Sequence, residues 1–159
     1  MASTECHRIA DQLERALAGP AWHGPSTLDT LAGVTAAAAR ARPVPGAHSI
    51  WEIVNHTAAW LEIVEARLAG AAPSDITPDM DWPPPGGSDA DWQASVAGLK
   101  RAAAALRAAV LAFDDGDLGR DLPGIDDTWS AYHSLHGVVQ HVLYHAGQIA
   151  ILRKGAAKS

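Results

Sequence analysis

Residues 128–152 contain no Asp, Glu, Lys or Arg, yet they include four histidines. The segment has the length of a membrane span, but its histidines and two glutamines would each cost several kcal/mol in hydrocarbon. A helix buried within a bundle of other helices accommodates the same residues, because neighbouring groups can bond the polar side chains. We therefore predict a buried bundle helix here and no membrane partner.

The composition favours helices in the remainder of the chain. Hydrophobic residues make up 48% of the 159 residues, and only two Tyr and one Phe occur. β-branched and aromatic residues, which strands prefer, are sparse beside Ala and Leu. A chain of this length can bury one core. We predict an all-α fold, a single four-helix bundle domain over residues 1–159, with a short extra helix between helices one and two.

Charge and cysteine content exclude several classes of function. The formal net charge is −6, and the twelve Lys and Arg are scattered. This pattern disfavours nucleic acid and anionic membrane surfaces as partners. Cys6 is the only cysteine, so no intrachain disulfide can form. The N-terminus has no apolar stretch typical of a signal peptide, so we expect a cytoplasmic protein.

Helix boundaries are marked by three motifs that match the capping box or resemble it, namely Ser26 with Asp29, Ser49 with Glu52, and Ser88 with Asp91. With the apolar periodicity they predict long helices over about residues 3–18, 49–68, 88–113 and 128–153, and a short helix from 26 to about 33. Residues 34–47 and 71–87, rich in Pro and Gly, are predicted connectors. The second is either a plain crossover or a functional loop in which Trp82 packs over an open end.

His141 and His145 are the strongest candidates for a metal site. On an α-helix they lie about 40° apart in azimuth and about 6 Å apart along the axis, so they share a face. That face continues through apolar residues, which points the pair into the bundle. A metal ion would satisfy two buried imidazoles at once. The alternative is a pair of core histidines bonded to backbone or Tyr groups.

The other histidines can be sorted by the same geometry. His136 points about 140° away from His141, and His133 lies about two turns from it, so neither is predicted as a direct ligand. Either could carry protons at the rim of the site, and we take His136 as the catalytic candidate. A third ligand must come from another helix. His56 is the only histidine in the middle of one, which makes it our choice.

Gln148, one turn beyond His145, is the second candidate for a catalytic role, since its amide could orient an imidazole or bond a ligand. An ordinary glutamine bonded to the backbone is the alternative.

Three segments resemble the DinB-like superfamily: GPAWHGPSTLDTL, HSIWEIVNHTAAW and LHGVVQHVLYHAGQIAILRK. The last is the most specific, because a histidine pair precedes Gly-Gln and an apolar run that ends in Arg-Lys. The resemblance implies an up-down-down-up bundle that holds a divalent metal through three histidines. These positions correspond to His56, His141 and His145. Members resemble metal-dependent transferases or isomerases that use thiols such as bacillithiol or mycothiol, or have no assigned reaction, and many look like homodimers.

A thiol-dependent S-transferase or isomerase acting on small electrophiles is the leading functional hypothesis. Three neutral imidazoles leave the +2 charge of zinc, nickel or iron uncompensated and a coordination position open, so a bound thiol would become a thiolate. Hydrolysis by metal-bound hydroxide is an alternative, although Val142 stands where zincins place their glutamate base. A non-catalytic metal-binding stress-response protein is a third. A cavity at the open position would favour an enzyme, whereas a plugged position would favour the third reading.

Overall fold

The structure is a computed structural model that describes residues 4–71, 75–123 and 129–156. Within these ranges it contains helices and no strand. The α-helices are α1 (Glu5–Ala18), α2 (Thr27–Leu31), α3 (Ala36–Arg40), α4 (Ile50–Leu68), α5 (Pro78–Asp81), α6 (Asp89–Ala112) and α7 (Ala131–Ala156), with a 3-10 helix at Asp115–Asp117.

Serine side chains begin three of these helices as the sequence predicts. In each capping box the serine oxygen accepts from the amide three residues on, and the acidic side chain accepts from the serine's own amide. The boxes are those of Ser26 with Asp29, Ser49 with Glu52, and Ser88 with Asp91. The start of α4 is thereby fixed, and with it the position of every side chain along that helix.

The four long helices form a ring in which each packs against two neighbours, in the order α1, α6, α4, α7. Trp51 in the first turn of α4 donates to Ser95 in the second turn of α6, so these helices run parallel. The Glu5 amide at the start of α1 donates to Asp115 just beyond α6, so α1 and α6 are antiparallel. His136 near the start of α7 faces Glu5, so α7 runs parallel to α1. The bundle is therefore up-down-down-up.

The uncharged segment forms α7, and its apolar side chains fill the centre of the ring. Leu135, Val142 and Ile149 recur every seven residues on its inner face and are almost completely buried. Among the described helices, none combines the length and apolarity that crossing a membrane requires. The predicted start of this helix, Thr128, lies outside the described residues.

Both connectors contain a short helix that the sequence did not predict. α3 lies in the first and is capped by Thr35, and α5 lies in the second, capped by Thr77 with Pro78 in its first turn. Helices of four or five residues are too short to show apolar periodicity. The Thr-Pro pair was the one local signal for α5.

Candidate metal centre

Three imidazoles from two helices meet inside the bundle. Nε2 of His141 lies 3.0 Å from Nε2 of His56 and 3.0 Å from Nε2 of His145. In the part of the chain that the structure describes, this is the only group of at least three His, Cys, Asp or Glu side chains that could hold one metal ion. The three ligand atoms lie within 4.8 Å of one another. The structure thus brings together the three residues that the sequence singled out.

The helices determine this meeting. His56 lies two turns beyond the Ser49 cap of α4 and is 6% exposed. His141 and His145 occupy successive turns of the antiparallel neighbour α7, and His145 is 4% exposed. Because each backbone is held by its own helix, the imidazoles are positioned before any ligand arrives.

Two hydrogen bonds fix which nitrogen of each outer imidazole carries its proton. Nδ1 of His56 donates to the carbonyl oxygen of Asp81 at 2.6 Å, and Nδ1 of His145 donates to the side-chain oxygen of Gln148 at 2.7 Å. An oxygen of this kind can only accept, so Nδ1 holds the proton and Nε2 of the neutral ring keeps its lone pair. Two lone pairs therefore point at the His141 ring.

Burial keeps these rings neutral. Desolvation lowers the pKa of His56, His141 and His145, because an imidazolium would lose its hydration inside the bundle. The pKa of His141 falls to about 4, through burial and then through repulsion from the other two rings. At neutral pH the cluster is in the uncharged form that binds metals.

The donor set fits a divalent cation. Nitrogens bound tetrahedrally at about 2.1 Å would lie about 3.4 Å apart, which is close to the two 3.0 Å separations. A proton on Nε2 of His141 could be donated to only one of the two facing lone pairs, whereas a cation satisfies all three nitrogens. Nδ1 of His141 is buried without a hydrogen-bond partner within the described residues, so that ring is the least constrained of the three.

A short segment that begins at the last residue of α5, residues 81–84, covers the cluster, and we call it the strap. Its Trp82 ring stacks on the His56 ring with centroids 3.8 Å apart and on His48 at 3.5 Å. Trp60 donates its indole N–H to the Asp81 carboxylate at 2.7 Å. Asn55 donates to the carbonyl oxygens of Pro83 and Pro84, the first two of the three prolines that follow Trp82. Trp82 of the long connector therefore packs against a histidine of the cluster, which agrees with the alternative in which Trp82 packs over an open end, and a functional role for this loop stays a prediction.

Two cavities adjoin the histidines. The larger, about 540 Å³, lies between α4 and α7 and is lined by His56 and His141. The smaller, about 410 Å³, is lined by His145, Gln148 and Trp82. Cavities of this size accept small molecules. Space therefore adjoins the cluster, which favours a ligand-binding centre over a plugged one.

Of the other residues that the sequence singled out, Gln148 and His133 lie beside the cluster or its cavity and His136 does not. Gln148 accepts a hydrogen bond from His145 and so orients its imidazole, which is one of the two roles that the sequence suggested for it. His133 lines the larger cavity, but His136 turns toward α1, where its Nε2 lies 3.6 Å from the Glu5 carboxylate. His136 is not among the residues that line either cavity beside the cluster. Its catalytic role stays a prediction that this placement does not support, because its ring projects from another face of α7.

The sequence did not single out Asp81 or Asn55, which hold the strap on α4. Both act through partners more than 20 residues away along the chain. Contacts between residues so far apart in the chain leave no local pattern in the sequence from which they could be predicted.

Comparisons with known proteins agree with the helical bundle. The sequence model of the DinB superfamily matches residues 21–149. The chain belongs to the DinB superfamily. Its fold is similar to the crystal structure of a conserved protein from Enterococcus faecalis, with a TM-score of 0.73 and 18% identity over 99% of this chain and 100% of that one. No curated protein matches the sequence significantly. Membership in this superfamily and the three-histidine cluster are together compatible with metal binding.

Gln148→Ala should weaken zinc binding about 10- to 100-fold, because removal of a group that orients a ligand imidazole has costs of this size. Competition with a chromophoric chelator measures the affinity. Gln140→Ala, exposed on the same helix, is the matched control and should bind as the wild type does. Equal affinities for all three proteins would show that the Gln148 bond has no role in metal binding.

The metal-free protein should lose stability as the pH falls from 6.5 to 5. In this range the unfolded chain protonates its histidines, whereas burial holds the pKa of His141 in the folded chain at about 4. The unfolded chain therefore binds more protons than the folded chain does. The free energy of unfolding should fall by up to about 1.4 kcal/mol per pH unit for each histidine whose pKa is lowered by folding.

Urea unfolding of chelator-treated protein at several pH values measures this slope. The slope should be smaller in His141→Leu and unchanged in His23→Leu, which alters an exposed histidine outside the cluster. A slope as steep in His141→Leu as in the wild type would contradict the assignment.

Proposed function

We propose that the protein is a divalent-metal-dependent enzyme in which His56, His141 and His145 hold the metal and the larger cavity admits the reactants. The observation that carries this proposal is the meeting of three neutral imidazole nitrogens beside a cavity of about 540 Å³. A site with three protein ligands keeps a coordination position open, which is the pattern of catalytic rather than structural zinc sites.

The reaction that we favour is transfer of a low-molecular-weight thiol to a small electrophile, or thiol-assisted isomerisation. A bound divalent metal with only neutral protein ligands would favour the thiolate form of a thiol in its open position. Membership in the DinB superfamily supports this reaction class, because the resemblance to that family implies that its members include thiol-dependent transferases and isomerases.

The residues of the chain would supply positioning and shielding. The Asp81 carbonyl and Gln148 hold the outer imidazoles in the ligand tautomer, and Trp82 covers one face of His56. Trp60 forms part of the cavity wall and is fixed through its bond to Asp81. An electrophile in the cavity would approach from the side of His56 and His141, where Asp81 of the strap also lines the wall.

Hydrolysis is the second candidate, and one observation favours it. His133 lines the same cavity as His56 and His141, so its imidazole could take a proton from water held there. The two candidates differ in their need for a thiol and in their dependence on His133.

We also propose that the protein is a homodimer that pairs through α7. Tyr144 and Ile151 are 64% and 67% exposed on this helix, and Tyr132 is 46% exposed. Between Trp129 and Leu152 the helix carries no charged residue, which is unusual for a surface in contact with water. Tyr144 and Ile151 lie seven residues apart and therefore share one face of the helix, and an exposed tyrosine on an uncharged face is typical of the centre of a protein interface.

Zinc- or nickel-loaded protein should consume thiol when supplied with an activated aryl chloride and one of several bacterial thiols. The activity should disappear after chelation and in His141→Ala, because both remove the metal, and should survive in His23→Ala. Thiol titration and product mass measure the reaction. Product that forms without thiol and is lost in His133→Ala would instead establish hydrolysis. Absence of both reactions in protein shown to hold its metal would reject an enzymatic role with these reactants.

A further inference from the structure

The indole of Trp82 lies between two imidazoles that are nearly parallel to it. His48 precedes the Ser49 cap of α4 by one residue, and His56 lies two turns into that helix. The Trp82 centroid is 3.5 Å from that of His48, with 6° between the planes, and 3.8 Å from that of His56, with 9° between the planes. A stack of three rings thus runs from His48, whose side chain is 45% exposed, to the buried His56 of the cluster.

The stack restrains a motion of His56 that its hydrogen bond leaves open. The bond from Nδ1 to the Asp81 carbonyl oxygen, 2.6 Å long, fixes the direction of the N–H, but the ring can still tilt about that bond. The flat face of Trp82 opposes the tilt, because a tilted imidazole would press into the indole or lose contact with it. The lone pair of Nε2 lies in the plane of the imidazole, so the stack sets the direction in which it points.

Trp82 also contacts a second histidine of the cluster. Its ring meets that of His145 edge to face, with centroids 6.3 Å apart and 87° between the planes. His141 is less restrained. Within the described residues no ring lies parallel to it, and its Nδ1 is buried without a hydrogen-bond partner. Restraint is therefore concentrated on the two outer imidazoles, and Trp82 contributes to both.

His48 holds the indole against the cluster from the outer side. Its Nδ1 lies 3.8 Å from the carboxylate of Glu52, which accepts from the Ser49 amide at 2.8 Å in the cap of α4. The bonds that Asn55 makes to the strap reach proline carbonyl oxygens and leave the Trp82 ring unrestrained. Both His48 and Trp82 line the smaller cavity, so removal of the His48 ring would open space into which the indole could turn.

We propose that Trp82 and His48 are positioning residues of the metal centre, which hold the His56 imidazole in the orientation for coordination and thereby slow the release of the metal. Trp82 acts through His56, and His48 acts through Trp82. This role rests on the three-histidine site of the proposed function and is independent of the reaction proposed there.

Release of zinc from the loaded protein into excess chelator measures this role. Release should be about 5- to 10-fold faster in Trp82→Leu and about 2- to 5-fold faster in His48→Ala, as expected for the loss of one aromatic pair beside or one ring away from the ligand. His48→Phe should release zinc at the wild-type rate, since it restores the stacked ring without a nitrogen. Trp22→Leu and His23→Ala, which alter exposed residues outside the stack, are the matched controls and should behave as the wild type does.

The absorption spectrum of the cobalt-substituted protein separates positioning from packing. The d–d bands of Co²⁺ depend on the geometry of its ligands, so they should change in Trp82→Leu and His48→Ala and return to the wild-type form in His48→Phe. A role in packing alone would lower the stability of the metal-free variants to urea and leave these bands unchanged.

A wild-type release rate in Trp82→Leu or in His48→Ala would overturn the proposal. Unchanged cobalt bands in both variants would also overturn it, as would a His48→Phe protein that releases zinc as fast as His48→Ala. If Trp82→Leu does not fold, the exposed His48 position decides alone. The measurements contain no thiol and no electrophile, so failure of the proposed reaction would not alter them. A wild-type protein that binds neither zinc nor cobalt would overturn both this role and the metal site on which it rests.

Discussion

Burial of three imidazoles at one point is possible only while all three stay uncharged and two of them direct lone pairs to the same place. The bundle meets this requirement with oxygen acceptors behind the rings. The Asp81 carbonyl oxygen accepts a hydrogen bond from Nδ1–H of His56, and the side-chain oxygen of Gln148 accepts one from Nδ1–H of His145. Without these bonds an imidazole could present its N–H to the cluster, and the nitrogens would no longer form a set of donors for a cation. The rest of the site is arranged around that requirement.

The strap links this local chemistry to the fold. Asn55, His56 and Trp60 extend from α4 and bond residues 81–84, so a connector between two parallel helices is held against the cluster. Parallel neighbours require a connection that runs back along the bundle, and here that connection also completes the site. On the opposite side, α7 contributes two ligand candidates one turn apart and leaves a cavity between itself and α4. A helix with charged residues on its buried face could not occupy this position.

Much of the fold followed from local sequence signals. The Ser49 and Ser88 caps fix α4 and α6 through contacts within four residues, so their starts were predictable. The histidine pair of α7 followed from helical geometry, and His56 from the need for a ligand on a second helix. The packing of Trp82 over the site was only one of two alternatives for its connector, because its stacking on His56 joins residues 26 positions apart in the sequence. The burial of Arg67 was not foreseen, since it depends on packing across the bundle rather than on neighbours in sequence.

The central claim is that His56, His141 and His145 form one metal site. Elemental analysis of protein purified without a metal-affinity tag tests it most directly, on the wild type, His56→Ala, His145→Ala and the cavity-lining control His133→Ala. The account predicts about one divalent metal per chain in the wild type and in His133→Ala, and loss of that metal in the other two. Stoichiometric metal in both His56→Ala and His145→Ala would contradict it.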